Sequence, residues 1–373
     1  MSVHDVEALA GVTVAQLSRR AKERARAWGE LEQLHTYVVG VQLAQRLRLI
    51  AHEAPPLRVG GVGQHVRHYE HAHGSTVAFG MMACMSAPAE APARPDAAKR
   101  PIGVFDSGVG GLTVLHELLV QLPQEDFIYM GDTARFPYGE RSPEELARFS
   151  SQIAEELLRR RAKLLVIACN SATAAALPIL ERRMMETTLG VEVLGVVRPE
   201  AFQAVAATRN GRIGLLATPT TVASGAYAEA VGTIDPYVTL HSVACAELAG
   251  IIQAGEQFDA RATETVRSAC APLGEAGADT VILGCTHYPL IRPLLQRLLG
   301  PEVVLVSSGA ALARQVEHVL STRELGNPRS GEGAYRFLCT GDTDAFHELG
   351  TRFLQMPLGV VEHVELAEAE AVA

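Results

Sequence analysis

Two stretches of this 373-residue chain follow one grammar, and that repetition limits the folds open to it. The first, residues 163–173 (KLLVIACNSAT), is an unbroken apolar run ending in Cys169, followed by Asn170, Ser171 and Thr173. The second, residues 280–289 (TVILGCTHYP), is again an apolar run and a small residue, then Cys285 and polar groups at a turn. Runs of this kind read as strands buried on both faces. Asn170, Ser171 and Thr173 suit helix capping, with an alanine-rich helix expected from Ala174. A thiol is thereby set at the carboxyl end of a strand, beside a helix start. In open α/β sheets ligands bind at that edge, and helix amides there lower a thiol's pKa. One cysteine so placed reads equally well as a small buried hydrophobe. Two in matching positions favour a shared task.

The repetition extends further. Residues 212–219 (RIGLLATP) echo residues 101–108 (PIGVFDSG), an offset of 111, and the two cysteines are offset by 116. This predicts an internal duplication: an α/β fold of two similar, mostly parallel-sheet lobes facing each other across a cleft, one sulfur per side. Residues 101–197 with 311–373 form the first lobe and residues 198–310 the second. Residues 1–100 read as an extension that closes in a proline-rich linker over 87–100.

Within the extension, residues 1–35 have helical character and residues 36–50 continue apolar, broken by Pro55-Pro56. His65, His68, His71 and His73 cluster, but without cysteine or carboxylate partners at site spacing they read as a solvated tract rather than a metal site. Met81, Met82 and Met85 precede the linker, which allows the natural start to lie there.

From Pro101 onward, strands are expected at 102–105, 127–130, 193–197, 213–217, 303–306, 335–339 and 359–364. Helices are expected at 112–122, 144–162, 264–274, 310–320 and 344–354, with a Gly/Pro/Ser-rich loop at 326–334. Arg198-Pro199 is expected to halt a strand at the crossover between lobes. Arg159, Arg160 and Arg161 read as a solvated helix end that complements the dipole. The DSGVGG turn (106–111) lets backbone approach a ligand closely and presents helix amides to an anion. It lacks the lysine of a P-loop, and its glycine spacing is not that of a dinucleotide fold.

Charge and lysine usage narrow the chemistry. Residues 1–100 carry 12 Lys and Arg against 9 Asp and Glu; the remaining residues carry 21 against 33. An acidic body argues against nonspecific nucleic-acid binding, which rests on neutralising phosphates. The only lysines are Lys22, Lys99 and Lys163, none in a site-like context, so pyridoxal phosphate chemistry is not expected. Six cysteines without framework spacing suit a reducing cytoplasm. No apolar run approaches membrane-spanning length, and no secretory signal opens the chain.

Two thiols across a cleft suit few reactions. Zinc spacing is absent, and no arginine follows Cys169 closely enough for phosphate-ester chemistry. A Cys–His hydrolase would leave one thiol idle, and a disulfide would need sulfurs in bonding range. What remains is proton exchange on both faces of one carbon, with inversion.

Four motifs, FDSGVGGL (105–112), GDTARFPYG (131–139), ACNSAT (168–173) and GCTHYP (284–289), together resemble glutamate racemase, of the aspartate/glutamate racemase superfamily. The likeness covers roughly residues 101–366. It implies two α/β lobes with the site between them and cofactor-independent interconversion of L- and D-glutamate for cell-wall peptidoglycan. It implies no metal, and leaves room for a homodimer.

The resemblance places the acid/base pair at Cys169 and Cys285, assisted by Asp106 and His287. It places substrate contacts at Asp106, Ser107, Tyr138, Gly139, Asn170, Ser171, Thr286 and His287. Asp132 reads either as a polariser or as a residue that orders its loop. Three features depart from the family's pattern: the charge in Arg198-Pro199-Glu200, the absence of proline after Cys245, and Gln253 where some members carry an acid. Cys245, Cys270 and Cys339 are expected to have no catalytic role. The alternatives are an aspartate or hydantoin racemase, or a two-lobed small-molecule binding protein without catalysis.

Overall fold

The strand Ile102–Asp106 (β1) organises the first half of the fold because both its faces are covered. The computed structural model describes residues 95–186, 190–255 and 260–366. The helical reading, histidine cluster and start site placed in residues 1–94 lie outside that range, and the described end of the expected linker departs from it by forming a short helix, Pro95–Ala98.

β1 pairs in parallel with Phe127–Gly131 (β2) on one side and Leu164–Ile167 (β3) on the other. Along these strands alternate residues enter two different cores. Ile102, Val104, Phe127, Tyr129, Leu164 and Val166 face one core, while Phe105, Ile128, Met130, Leu165 and Ile167 face the other. Hence the runs are apolar throughout rather than alternating.

Helix Leu112–Gln121 (α1) follows β1. Helix Pro143–Arg159 (α2) follows β2 and starts one residue earlier than expected. Ser142 caps α2 by accepting from the Glu145 N–H, Glu145 reaches back to the Ser142 N–H, and Pro143 fits the first helical position. Asn170–Glu186 (α3) follows β3 and leads into Glu192–Gly195 (β4), which pairs with β3.

Val197–Ala207 (α4) crosses to a second sheet. Arg198 and Pro199 lie in its first turn, where proline is tolerated, and do not end a strand as expected. The second sheet comprises Arg212–Ala217 (β5), Thr239–Ala244 (β6), Thr280–Gly284 (β7) and Val304–Val306 (β8), again parallel. Between these strands lie Pro219–Ala223 (α5), Ala226–Ile234 (α6), Leu248–Ala254 (α7), Ala260–Glu275 (α8) and Arg292–Leu299 (α9). Gly309–Thr322 (α10) returns to the first sheet. Tyr335–Cys339 (β9), Thr343–Leu354 (α11) and Val361–His363 (β10) complete the described chain.

The strand orders are β10-β9-β2-β1-β3-β4 and β6-β5-β7-β8. With β9 and β10 set aside, the two orders are the same, so the duplication heard in the sequence is also present in the topology. Cys169 follows β3 and Cys285 follows β7, which are equivalent strands. Arg160 departs from the solvated reading: it pairs with Glu156 and grips Glu362 with two nitrogens, tying the end of α2 to β10.

Candidate active site

Cys169 sits where β3 gives way to α3, and its own sulfur takes the capping role. Sγ accepts from the Ala172 N–H at 3.4 Å, so α3 begins at Asn170, four residues earlier than expected. Asn170, Ser171 and Thr173 are therefore helical, and their side chains are directed to partners beyond the first turn. Burial nevertheless outweighs the helix amide and the Ser107 contacts and pushes the thiol up to about 12. The expectation of a lowered pKa fails because desolvation of the buried thiolate outweighs the helix amide.

Asp106 ends β1 and lies between the two thiols electrostatically, raising the pKa of both. Its Oδ1 accepts from the Gly108 N–H at 2.9 Å and its Oδ2 accepts from Thr286 Oγ1 at 3.2 Å. Burial raises its carboxyl to about 6. Ser107 lies against both Asp106 and Cys169, giving a proton a hydroxyl path between them.

The Cys285 thiol is also pushed up by burial. His287 Nδ1 lies 3.8 Å from its sulfur, and Nε2 lies 3.0 Å from Gln253 Oε1. A proton on Nε2 gives Gln253 a donor and leaves Nδ1 as an acceptor facing the thiol. Burial holds this imidazole down at about 3, so it is neutral near pH 7. Phe136 and Phe353 flank the ring, at 5.6 and 5.2 Å between centroids.

The glycines of the DSGVGG turn serve this junction. A Cβ on Gly110 would meet Thr286 Oγ1 and the His287 ring, and one on Gly111 would meet Asp106, Tyr129 and Ala168. Their smallness lets the turn after β1 meet the turn after β7. Gly110→Ala is expected to destabilise the fold by about 1–3 kcal/mol through overpacking. A urea titration measures this, and an unchanged midpoint would contradict the close-approach account.

The remaining candidates form the surrounding wall. The Tyr138 hydroxyl donates to Asp132, which also accepts from Arg135 Nε (2.6 Å) and Thr340 Oγ1 (2.8 Å). Asp132 thus orders its loop. Gly139 packs on Thr218, and its carbonyl accepts from Thr220 Oγ1 at 2.9 Å. Ser171, Thr218 and Thr221 form a ring of hydroxyls, each 2.9 Å from the others, which joins α3 to α5. Every one of the ten candidate site residues is buried.

Sequence reasoning did not identify the roles of Glu200, Tyr227 and Ser308. Glu200, wholly buried on α4, accepts from the hydroxyls of Tyr227 and Ser308 and from Asn170 Nδ2 (3.0 Å). Its unusual charge at the crossover was the only signal available. Among the described residues, no group of three or more His, Cys, Asp or Glu is gathered that could hold a metal.

A family model described as Asp/Glu/Hydantoin racemase matches residues 102–316. A glutamate racemase of Geobacter metallireducens is 45% identical over 271 residues, covering 73% of this chain and 98% of the relative. One of Listeria monocytogenes is 42% identical over 270 residues, covering 72% and 100%. The chain belongs to the glutamate racemase family.

Solved members of the family share the fold. Isoform RacE1 from Bacillus anthracis aligns with a TM-score of 0.67 at 38% identity, covering 72% of this chain and 98% of that one. The Francisella tularensis glutamate racemase, in complex with D-glutamate, aligns with a TM-score of 0.66 at 30% identity, covering 72% and 98%. Like the relatives, the chain is an amino-acid racemase of the isomerase class. Two of the three departures from the family's pattern have local accounts: Gln253 supplies the acceptor for His287, and Glu200 is enclosed by three donors. Cys270 is buried in α8 with its thiol pushed up to about 11, and the Cys339 thiol donates to the Gly341 carbonyl. No described helix is long and apolar enough to cross a membrane.

Proposed function

We propose that the protein interconverts L- and D-glutamate without a cofactor, by proton transfer between Cys169, Cys285 and the two faces of the α-carbon. The D-glutamate supplies peptidoglycan synthesis, and the cytoplasm is the setting that keeps both thiols reduced. The observation that carries this reading is that Asp106, with Ser107 beside Cys169 and with its own bond to Thr286 beside Cys285, acts on both thiols at equivalent ends of duplicated strands. The proposed lobes, 101–197 with 311–373 and 198–310, each lend one sulfur.

Before substrate binds, burial keeps a proton on each sulfur. The substrate's ammonium group changes this balance, since a cation placed beside Asp106 offsets the charge that opposes thiolate formation. Cys169 then passes its proton through Ser107 to Asp106, while neutral His287 faces the Cys285 thiol with Nδ1 as a hydrogen-bond acceptor. The thiolate takes the α-proton, an S–H bond replaces the C–H bond, and the electron pair spreads into the α-carboxylate. The thiol opposite delivers its proton to the other face. Hydroxyls of Ser171, Thr218 and Thr221 and the amides of α3 are suited to hold the carboxylates. Because these groups are buried, the cleft must open for substrate to enter and close again for chemistry.

Pure L-glutamate in buffer, with no cofactor added, is expected to lose its optical signal in the presence of the protein. In heavy water, deuterium is expected at the α-carbon of the product. A requirement for added pyridoxal phosphate would overturn the reading, and turnover of L-aspartate in place of L-glutamate would move it to a sister activity.

The Asp106 role carries a pH dependence. Its carboxyl accepts a proton only when ionised, and burial has raised its pKa from 3.8 to about 6. Acceptor capacity is therefore half present at pH about 6, nearly complete a unit above it, and lost as the pH falls through that value. kcat/KM is expected to fall about tenfold per unit on the acid side of a limb near pH 6, because one group titrates. A profile flat to pH 5 would remove Asp106 from the proton path.

A further inference from the structure

Asn170 has one buried atom without a partner in an otherwise saturated neighbourhood. Its Nδ2 donates to Glu200 Oε2 at 3.0 Å and to the Tyr227 hydroxyl at 2.6 Å, while its Oδ1 is buried and bonded to nothing in the protein. The direction of the amide is fixed by its surroundings. Tyr227 spends its only hydroxyl proton on Glu200 and so faces Asn170 as an acceptor. Glu200 Oε2 accepts from both Tyr227 and Asn170, and a proton on Oε1, shared with Ser308, leaves that arrangement intact. Reversing the amide would set its oxygen against two acceptors.

These four residues come from distant parts of the chain. Asn170 opens α3 beside Cys169, Glu200 is in the first turn of α4, Tyr227 is on α6, and Ser308 precedes α10. The chain passes between the two sheets once through α4 and returns once through α10, so Glu200 and Ser308 join the two crossings. Ser308 occupies the N-cap position of α10, makes no capping bond, and turns its hydroxyl to donate to Glu200 instead. A purely local helix start would have used that hydroxyl for its own amides.

We propose that Glu200, with Tyr227, is a positioning residue that holds the Asn170 amide with Oδ1 turned toward the substrate, where it accepts a hydrogen bond from the α-ammonium group. The inference rests on the glutamate reading above. An ammonium is a donor only, and an unpaired buried carbonyl oxygen is costly until such a donor arrives.

The test compares binding of racemic glutamate with binding of glutarate, which keeps both carboxylates and lacks the ammonium. Dissociation constants are measured by calorimetry on the full chain, with thermal melts as a check on folding. Glu200→Ala frees the amide to rotate and is expected to weaken glutamate at least tenfold and glutarate less than threefold. Glu200→Gln, whose oxygen can still accept from Tyr227 and Asn170 while its NH2 faces Ser308, is expected to restore most of the lost affinity. Tyr227→Phe removes one acceptor and is expected to weaken glutamate selectively, which keeps the test decisive if Glu200→Ala does not fold. Equal losses for both ligands, or no loss for glutamate, would overturn the inference while leaving the glutamate reading intact. A wild-type protein that does not bind glutamate would overturn both.

Discussion

Replacing either Cys169 or Cys285 by serine is expected to lower racemisation of L-glutamate by about 10³-fold, within the range for losing a positioned acid or base. The substitution changes one atom, and serine at position 169 can still accept from the Ala172 N–H that the sulfur now takes. The fold therefore survives, and the loss is chemical: an alcohol gives up its proton far less readily than a thiol, even one raised by burial. The two variants are expected to differ in an informative way. Whichever enantiomer presents its α-proton to the remaining thiol still exchanges slowly in heavy water, and the preferred enantiomer is opposite in the two variants. Serine variants that each retain full racemisation would remove the two-base proposal.

The strands were legible wherever both faces are buried. β1, β3 and β7 carry runs with no polar interruption, and each was expected within a residue or two of where it lies. β6 was not recognised because it forms the edge of its sheet, with Thr239, His241 and Ser242 among its residues and none fully buried. The short helices around it, α6 and α7, carry no clearer signal in the sequence. The start of α3 was misplaced because the sequence suggested hydroxyl and amide caps, whereas the sulfur of Cys169 takes that role.

The site was legible in the same uneven way. Local motifs brought Asp106, Ser107, Cys169, Thr286 and His287 into view, since each lies within a few residues of a strand end. Glu200 gave no such cue. Its partners Tyr227 and Ser308 lie 27 and 108 residues away, and only the fold makes an isolated glutamate into a network.

Lys163→Met is expected to destabilise the protein by about 3–5 kcal/mol, the cost of breaking a buried ion pair on one side only. The Lys163 side chain is 1% exposed and that of its partner Glu125 is fully buried, with 2.6 Å between Nζ and Oε2. The ammonium also donates to the carbonyls of Ala98 (2.6 Å) and Leu325 (2.7 Å), while Glu125 Oε1 accepts from the Asn327 N–H. Methionine fills similar volume but leaves a carboxylate and two carbonyls without their donor. Double replacement, Lys163→Met with Glu125→Leu, removes the stranded charge and is expected to recover most of the loss, because the charges are costly chiefly when unmatched. Lys163 lies at the amino end of β3 and Cys169 beyond its carboxyl end. At about 3.3 Å per residue the ion pair is remote from the chemistry, so activity per folded molecule is expected to hold in both variants. Urea titrations on the single and double variants measure the effect. A single-variant loss below about 1 kcal/mol, the ordinary size for a surface pair, would mean that the charges are solvated rather than locked beneath the sheet.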